Sequence, residues 1–254
     1  MDYFTNAEQF KTICGYDIDG KWYPRVTKIL DIKSKPALYR FYGAAASYGA
    51  ARAMTENSAK EGTLIHEITE KIMIGEKPEI PEEIRPAITA FIEFFENNNI
   101  HVDKEFVERR IFHPDHRYAG TIDTLALIDG KFGVLDIKTS QAIYRDYNLQ
   151  TSAYIEALMA EFPTLETRWI LRIDQTKDCL KCGGNLRPKG GQDKIRKGKK
   201  GPLCTDEHEW TPLTGRIELQ EFPYWKNDFQ AFLGAKQLWE WENEYWLKKV
   251  GYLE

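Results

Sequence analysis

Two aspartates and a lysine lie where strand geometry would bring them together. They occur in Gly120-Thr121-Ile122-Asp123 and in Asp136-Ile137-Lys138, and between them Asp129-Gly130 has the residue types of a two-residue hairpin turn. Counting outward from that turn, Ile128 faces Lys131 and Asp123 falls opposite Asp136. Side chains alternate along a strand, so Lys138 projects on the same side as Asp136. Opposed Cβ atoms are about 4.5–5.5 Å apart, and like charges so placed repel unless a cation compensates. Two carboxylates and a backbone carbonyl, naturally that of Ile137, are hard oxygen donors suited to Mg2+ or Mn2+. Such an ion acts as a Lewis acid and acidifies bound water, so the expected chemistry is metal-assisted hydrolysis. Lys138 would add positive charge where the transition state is most anionic.

If the sheet face were solvated, Asp123 and Asp136 would be ordinary exposed residues paired across to Lys138. Their apolar company argues otherwise. Leu135 and Ile137 point one way while Leu125 and Leu127 fall on the carboxylate side, which predicts a sheet covered on both faces. Carboxylates buried there require a metal or a lysine beside them.

The elements that must hold these residues read as a mixed α/β domain. The chain has 254 residues, 42% of them hydrophobic, enough for one large core with a small insert. A hairpin is predicted over 16–24, turning at Asp19-Gly20. The alanine-rich stretch 37–60 predicts a helix, and Gly62-Thr63 the start of a second one carrying Ile65, Ile68 and Ile72 on one face, with His66 and Glu70 beside it. Ile84, Ile88, Phe91 and Phe95 predict an amphipathic helix ended by Asn97-Asn98-Asn99. Strands are predicted near 105–112, 119–128 and 131–139, followed by a helix over 148–162. Segments 168–173 and 216–221 read as partner strands, and Trp225 to Trp246 as one face of a long closing helix.

Net charge of −4 argues against a wholly basic nucleic-acid-binding surface and leaves room for a local basic groove. The polar start Met1-Asp2-Tyr3-Phe4-Thr5 and the lack of a long apolar run lead to the expectation of a cytosolic protein. Of the four cysteines, three crowd into the segment 176–212. Cys179-Leu180-Lys181-Cys182-Gly183-Gly184 has the form of a metal-binding knuckle, and Cys204 and His208 complete a tetrahedral set suited to Zn2+ in a small zinc-ribbon-like insert. Within the insert, Lys189 to Lys200 is glycine-containing and densely basic, a loop able to neutralise phosphates.

In order and spacing, Gly120 to Asp123, then Asp136-Ile137-Lys138-Thr139-Ser140, then Gln150 to Tyr154 resembles the motif series of RecB-like PD-(D/E)XK nucleases. Gly62-Thr63-Leu64-Ile65-His66 resembles the helix that brings a histidine to the metal in that family. The chain departs from the family's name in having Ile122 before Asp123 and an aspartate at 136. The resemblance, which runs from about Arg25 to Trp241 without the insert, implies a restriction-endonuclease-like core, a mixed central sheet flanked by helices, in one domain over 1–254. It implies His66, Asp123, Asp136 and the Ile137 carbonyl as ligands of Mg2+ (or Mn2+), with Lys138 orienting or activating water. It also implies Glu108 as the acidic residue of the preceding strand, and Gln150 and Tyr154 as supports of the site or contacts to DNA.

The activity so implied is a deoxyribonuclease, matched best by exonucleases of phage or of recombination and repair, with DNA as substrate and a recombination or helicase protein as partner. Some members, including CRISPR-associated ones, hold an iron–sulfur cluster with one early and three late cysteines. Cys14 with Cys179, Cys182 and Cys204 is therefore the alternative to zinc. A catalytically idle DNA-binding or scaffold module is the alternative from another functional class.

Overall fold

The computed structural model describes residues 4–198, 201–205 and 207–254, so Lys199 and Lys200 of the basic loop lie outside the described residues. Helix α1 (Ala7–Cys14) starts at Asn6, whose side chain accepts the N–H of Gln9, and leads into the hairpin β1 (Gly15–Ile18) and β2 (Lys21–Pro24). Three helices follow: α2 (Val26–Leu30), α3 (Pro36–Ala44) and α4 (Tyr48–Met73), then α5 (Arg85–Asn97) and the short strand β3 (Ile100–His101). Next come β4 (Arg109–His113), β5 (Tyr118–Ile122), β6 (Thr124–Ile128) and β7 (Lys131–Lys138), then α6 (Asp146–Leu158) and β8 (Thr167–Asp178). The insert contributes β9 (Asn185–Lys189) and β10 (Gln192–Arg196), and the chain closes with β11 (Thr214–Glu221), α7 (Lys226–Glu242) and α8 (Glu244–Lys249).

The central sheet is mixed. Its body runs β11-β8-β7-β6-β3, with β7 and β8 parallel and the other pairs antiparallel. A parallel pair needs a long crossover, and α6 is the helix that makes it. Leu125 and Val134 face a core shared with Ala153, Ile155 and Leu158 of α6 and with Phe229, Phe232 and Trp239 of α7. Ala126, Leu135, Ile137 and Leu171 face a second core with Ile65 and Ile68 of α4 and Ile88 and Phe91 of α5. Helices thus cover the sheet on both faces, as the strand pattern predicts. Leu127 is the exception: near the turn end of β6 it joins neither core and is 38% exposed.

Several expected boundaries move. The helix break falls at residues 45–47, where Ser47 caps α4 by accepting the N–H of Ala50 at 3.1 Å, and α4 then runs unbroken through Gly62. A lone helical glycine costs about 1 kcal/mol, which the packing of a long helix easily carries. The expected strand over 119–128 is two: β5 pairs with β4 in a separate two-stranded sheet, and β6 belongs to the central one, with Asp123 at the bend. The strand expected from 105 begins only at Arg109, after a 3-10 turn, Lys104–Phe106, and a positive φ at Glu108. The closing helix divides at Asn243, whose side-chain amide donates to the carbonyl of Trp239. Among the described residues no helix is long and apolar enough to cross a membrane.

Candidate active site

Residues from five elements meet at the C-terminal end of β7. The β6–β7 register runs from Ile128↔Lys131 to Thr124↔Leu135, as turn chemistry predicts, but the ladder stops there. Asp123 therefore does not face Asp136 as a ladder partner. It sits in the bend between β5 and β6, and its Oδ2 accepts the N–H of Ile137 at 2.5 Å. Its own carbonyl accepts the N–H of Glu108 at 2.9 Å, which ties the start of β4 to the site.

Asp136 is buried on β7. Gln150 on α6 donates to its Oδ1 at 3.1 Å and to the Tyr154 hydroxyl at 3.0 Å, so both helix residues brace the carboxylate. Lys138 Nζ lies 2.5 Å from Asp136 Oδ2, an ion pair that serves this buried oxygen from one side. A carboxylate oxygen carries two lone pairs, so it can take a second electropositive partner beside the ammonium. Lys138 also approaches the ring of Tyr147 at 5.2 Å.

Helix α4 delivers His66, whose Nδ1 is 3.9 Å from Asp123 Oδ1. Two glycines make these approaches possible. A Cβ on Gly62 would lie 2.8 Å from Thr139 Oγ1, and one on Gly120 would lie 2.5 Å from the ring of Tyr154. Gly62 thus marks where α4 crosses the end of β7, one helical turn before His66.

Burial dominates the electrostatics. It pushes His66 down to about 4, aided by Lys138 and opposed by Asp136, so the imidazole is neutral and a lone pair is available. It pushes Asp123 up to about 6, against the opposing pull of Lys138 and the Ile137 N–H. Asp136 is also raised to about 6 by burial, with Lys138 opposing and Asp123 reinforcing. Lys138 would lose its proton more easily through burial alone, but Asp136 and Asp123 hold it above the usual lysine range.

One member escaped sequence reasoning. Glu70, a turn beyond His66 on α4, is pushed up to about 8 by burial, then by Glu108, which shares a hydrogen bond with it, and by Asp123. Its spacing from His66 was the available signal, but nothing local says that Glu108 comes to meet it. A cavity of about 370 Å³ lined by Glu67, Glu70, Lys71 and Glu108 opens beside this acidic pair.

A second centre lies in the insert. Cys179, Cys182, Cys204 and His208 bring four ligand atoms within 4.8 Å of one another and can hold a metal ion; among the described residues no other group of three or more potential ligands does so, including His66, Asp123 and Asp136. Cys179 Sγ and Cys204 Sγ are 3.8 Å apart, and Cys182 Sγ and His208 Nδ1 are 3.6 Å apart. Burial would raise the Cys179 thiol, but N–H groups of Cys182, Glu209 and Lys181 together with the His208 side chain bring it down to about 5, the thiolate a metal requires. The fourth member is His208, not Cys14, which is buried at the other end of the chain with Phe10 and Trp22. No protein-family model matches this chain, and no curated protein is significantly similar to it in sequence.

Proposed function

We propose that the protein is a divalent-metal-dependent DNA nuclease of the PD-(D/E)XK type, with Asp123, Asp136 and Lys138 at its catalytic centre. The observation that carries this is the convergence at one end of β7 of the buried Asp136, the partly buried Asp123, a neutral histidine and an ammonium group. Ligands about 2.1 Å from one octahedral ion are about 3.0 Å apart when adjacent and about 4.2 Å when opposite. The 3.9 Å between His66 Nδ1 and Asp123 Oδ1 lies between those two separations, so a small side-chain movement would bring both to one ion. Mg2+ keeps several waters and takes only one or two carboxylates, so the lack of a tight all-protein cage suits it.

In this reading Asp123, Asp136, His66 and the Ile137 carbonyl hold Mg2+ or Mn2+, which supplies Lewis acidity at the scissile phosphate and acidifies the attacking water. An extended residue sends its N–H and C=O off the same side of the strand, so the Ile137 carbonyl emerges where its N–H meets Asp123. Lys138 orients water and stabilises charge on the phosphate oxygens. Gln150 fixes the rotamer of Asp136, and Tyr154 anchors Gln150. Glu70, raised by burial and by the neighbouring Glu108, keeps its proton at the edge of the site.

The insert's ion is zinc. A tetrahedral ion with bonds of about 2.3 Å to sulfur and about 2.05 Å to nitrogen separates two sulfurs by about 3.8 Å, and sulfur from nitrogen by about 3.6 Å. Both separations occur here. A four-iron cluster gives each cysteine its own iron and spreads the sulfurs farther apart.

The test is digestion of labelled single-stranded and duplex DNA with Mg2+ or Mn2+, with RNA as control, comparing wild type with Asp136→Ala. Cleavage by the wild type alone is expected. DNA binding without cutting in both would make the protein an idle scaffold instead.

A further inference from the structure

The insert does not hang away from the candidate active site. Strand β8 pairs with β7 through residues 167–172 and then, beyond the end of β7, with β9 at Lys177 and Asp178. The β9–β10 hairpin therefore stands over the C-terminal end of β7. Two of its cations reach one carbonyl oxygen: Arg187 Nη2 and Lys189 Nζ donate to Thr139 O at 2.7 and 2.5 Å, and Thr139 follows Lys138 directly.

The two cations differ in their partners. Arg187 is neutralised by Asp174, with Nε 2.6 Å from Oδ1 in a buried pair that Arg172 completes from the other side. Lys189 makes no ion pair with a carboxylate among the described residues. Glu61 and Asp174 bear on it through space, and Glu61 accepts the backbone N–H of Gly190 at 3.4 Å. A partly buried ammonium hydrogen-bonded to a neutral carbonyl, beside a guanidinium of the same sign and with Glu61 and Asp174 acting on it from beyond ion-pair distance, is stabilised further by an anionic oxygen. Lys189 also stands close enough to His66 for its charge to bear on that ring.

The backbone around it is built for this placement. A Cβ on Gly190 would come within 2.2 Å of Ser58 Oγ and 2.7 Å of the Met54 carbonyl on α4. The hairpin tip is thus pressed against the same helix that carries His66, which fixes the backbone from which Lys189 reaches the site.

We propose that Lys189 is a phosphate-binding residue of the active site, delivered by the metal-stapled insert, and that its partner is a non-bridging oxygen of the DNA backbone next to the scissile phosphate. This rests on the nuclease reading. It makes the insert part of the site: the ion at Cys179, Cys182, Cys204 and His208 fixes the base of the hairpin whose end is Lys189.

The experiment compares wild type, Lys189→Met and Lys189→Arg. Binding of fluorescein-labelled single-stranded and duplex oligonucleotides is measured with Ca2+ in place of Mg2+ across a salt series, and cleavage is measured with Mg2+. Lys189→Met is expected to weaken binding roughly tenfold at low salt and to reduce the slope of log affinity against log salt by about 0.7–0.9. The loss should appear in KM more than in kcat, and Lys189→Arg should restore most of it. A purely structural lysine would leave the salt slope unchanged. Wild type that cuts, with folded Lys189→Met binding at the same slope and affinity, overturns this inference alone. Wild type that neither binds nor cuts DNA overturns the nuclease reading and this one with it.

Discussion

The carboxylate of Asp123 and the backbone N–H of Ile137 are joined by a hydrogen bond of 2.5 Å across the point where β5 bends into β6. That bond replaces the next rung of the β6–β7 ladder, which ends at Thr124↔Leu135. It holds the carboxylate against the edge of β7 at the residue next to Asp136, where a side-chain oxygen takes the place of a strand carbonyl. The bend is thus what opens a notch between two otherwise adjacent strands.

Asp123→Asn should separate the structural from the electrostatic part of this arrangement. The asparagine carbonyl can still accept from Ile137, so the fold is kept and a buried charge is removed. Thermal midpoint without metal is expected to stay unchanged or to rise, while Mg2+-dependent cleavage falls at least about a hundredfold. Asp123→Ala loses both functions and should also unfold more readily, because the Ile137 N–H is left unsatisfied at about 1–3 kcal/mol. Full cleavage by Asp123→Asn would remove this residue from the catalytic centre.

The pH dependence follows from the raised carboxyls. Asp123 and Asp136 stand near 6 against an ordinary value of 3.8. A carboxyl raised in the folded state takes up a proton on folding, so its contribution is stabilising below about pH 4 and is lost as pH rises through about 6. Metal-free protein should lose stability across that window. A divalent cation binds the ionised pair and should restore stability only at the upper end. The increase in thermal midpoint on adding Mg2+ is therefore expected to be near zero at about pH 5 and to grow to a plateau above about 7. An increment that does not vary with pH would detach the cation from these aspartates.

Much of this was legible in local pattern. The Asp129-Gly130 turn set the register of β6 on β7, and alternation placed Asp136 and Lys138 on one side. The bend at Asp123 was not legible, because apolar alternation passes through residues 119–128 without a break and only the pairing of β5 with β4 pulls the chain aside. Gly62 and Gly120 could be recognised as motif residues, but their reason is tertiary: Thr139 and the Tyr154 ring occupy the space a side chain would need. Glu70 joins the site only because Glu108, with its positive φ, turns toward α4. The contacts of Arg187 and Lys189 with Thr139 join segments far apart in sequence, beyond the reach of any local signal.

The Gly62 contact can be tested by a double-mutant cycle. Gly62→Ala gains about 1 kcal/mol of helix propensity but sets a methyl group 2.8 Å from Thr139 Oγ1. Moving α4 off β7 would carry His66 away from Asp123. Gly62→Ala is expected to cut activity about tenfold or more with little change in thermal midpoint. Thr139→Ala alone should be mild, and adding it to Gly62→Ala should recover most of the activity through a favourable coupling. Additive losses would mean that the two residues do not meet.

Cys182→Ser tests the metal centre and its reach. Removing one thiolate from Cys179, Cys182, Cys204 and His208 leaves three ligands, and a structural site needs four. Native mass spectrometry should find one zinc per wild-type chain and none in the variant, in colourless protein. Neither core contains any of these four residues, so unfolding should be local: the thermal midpoint falls by a few degrees while protease cuts appear within the insert. Because Lys189 rides on the same hairpin, DNA binding should weaken and lose salt sensitivity as it does in Lys189→Met. Acid should expel the ion as well, since protons compete for thiolates and imidazole, with release expected as pH falls toward about 5. A variant that keeps its zinc in full would show that Cys182 is not a ligand.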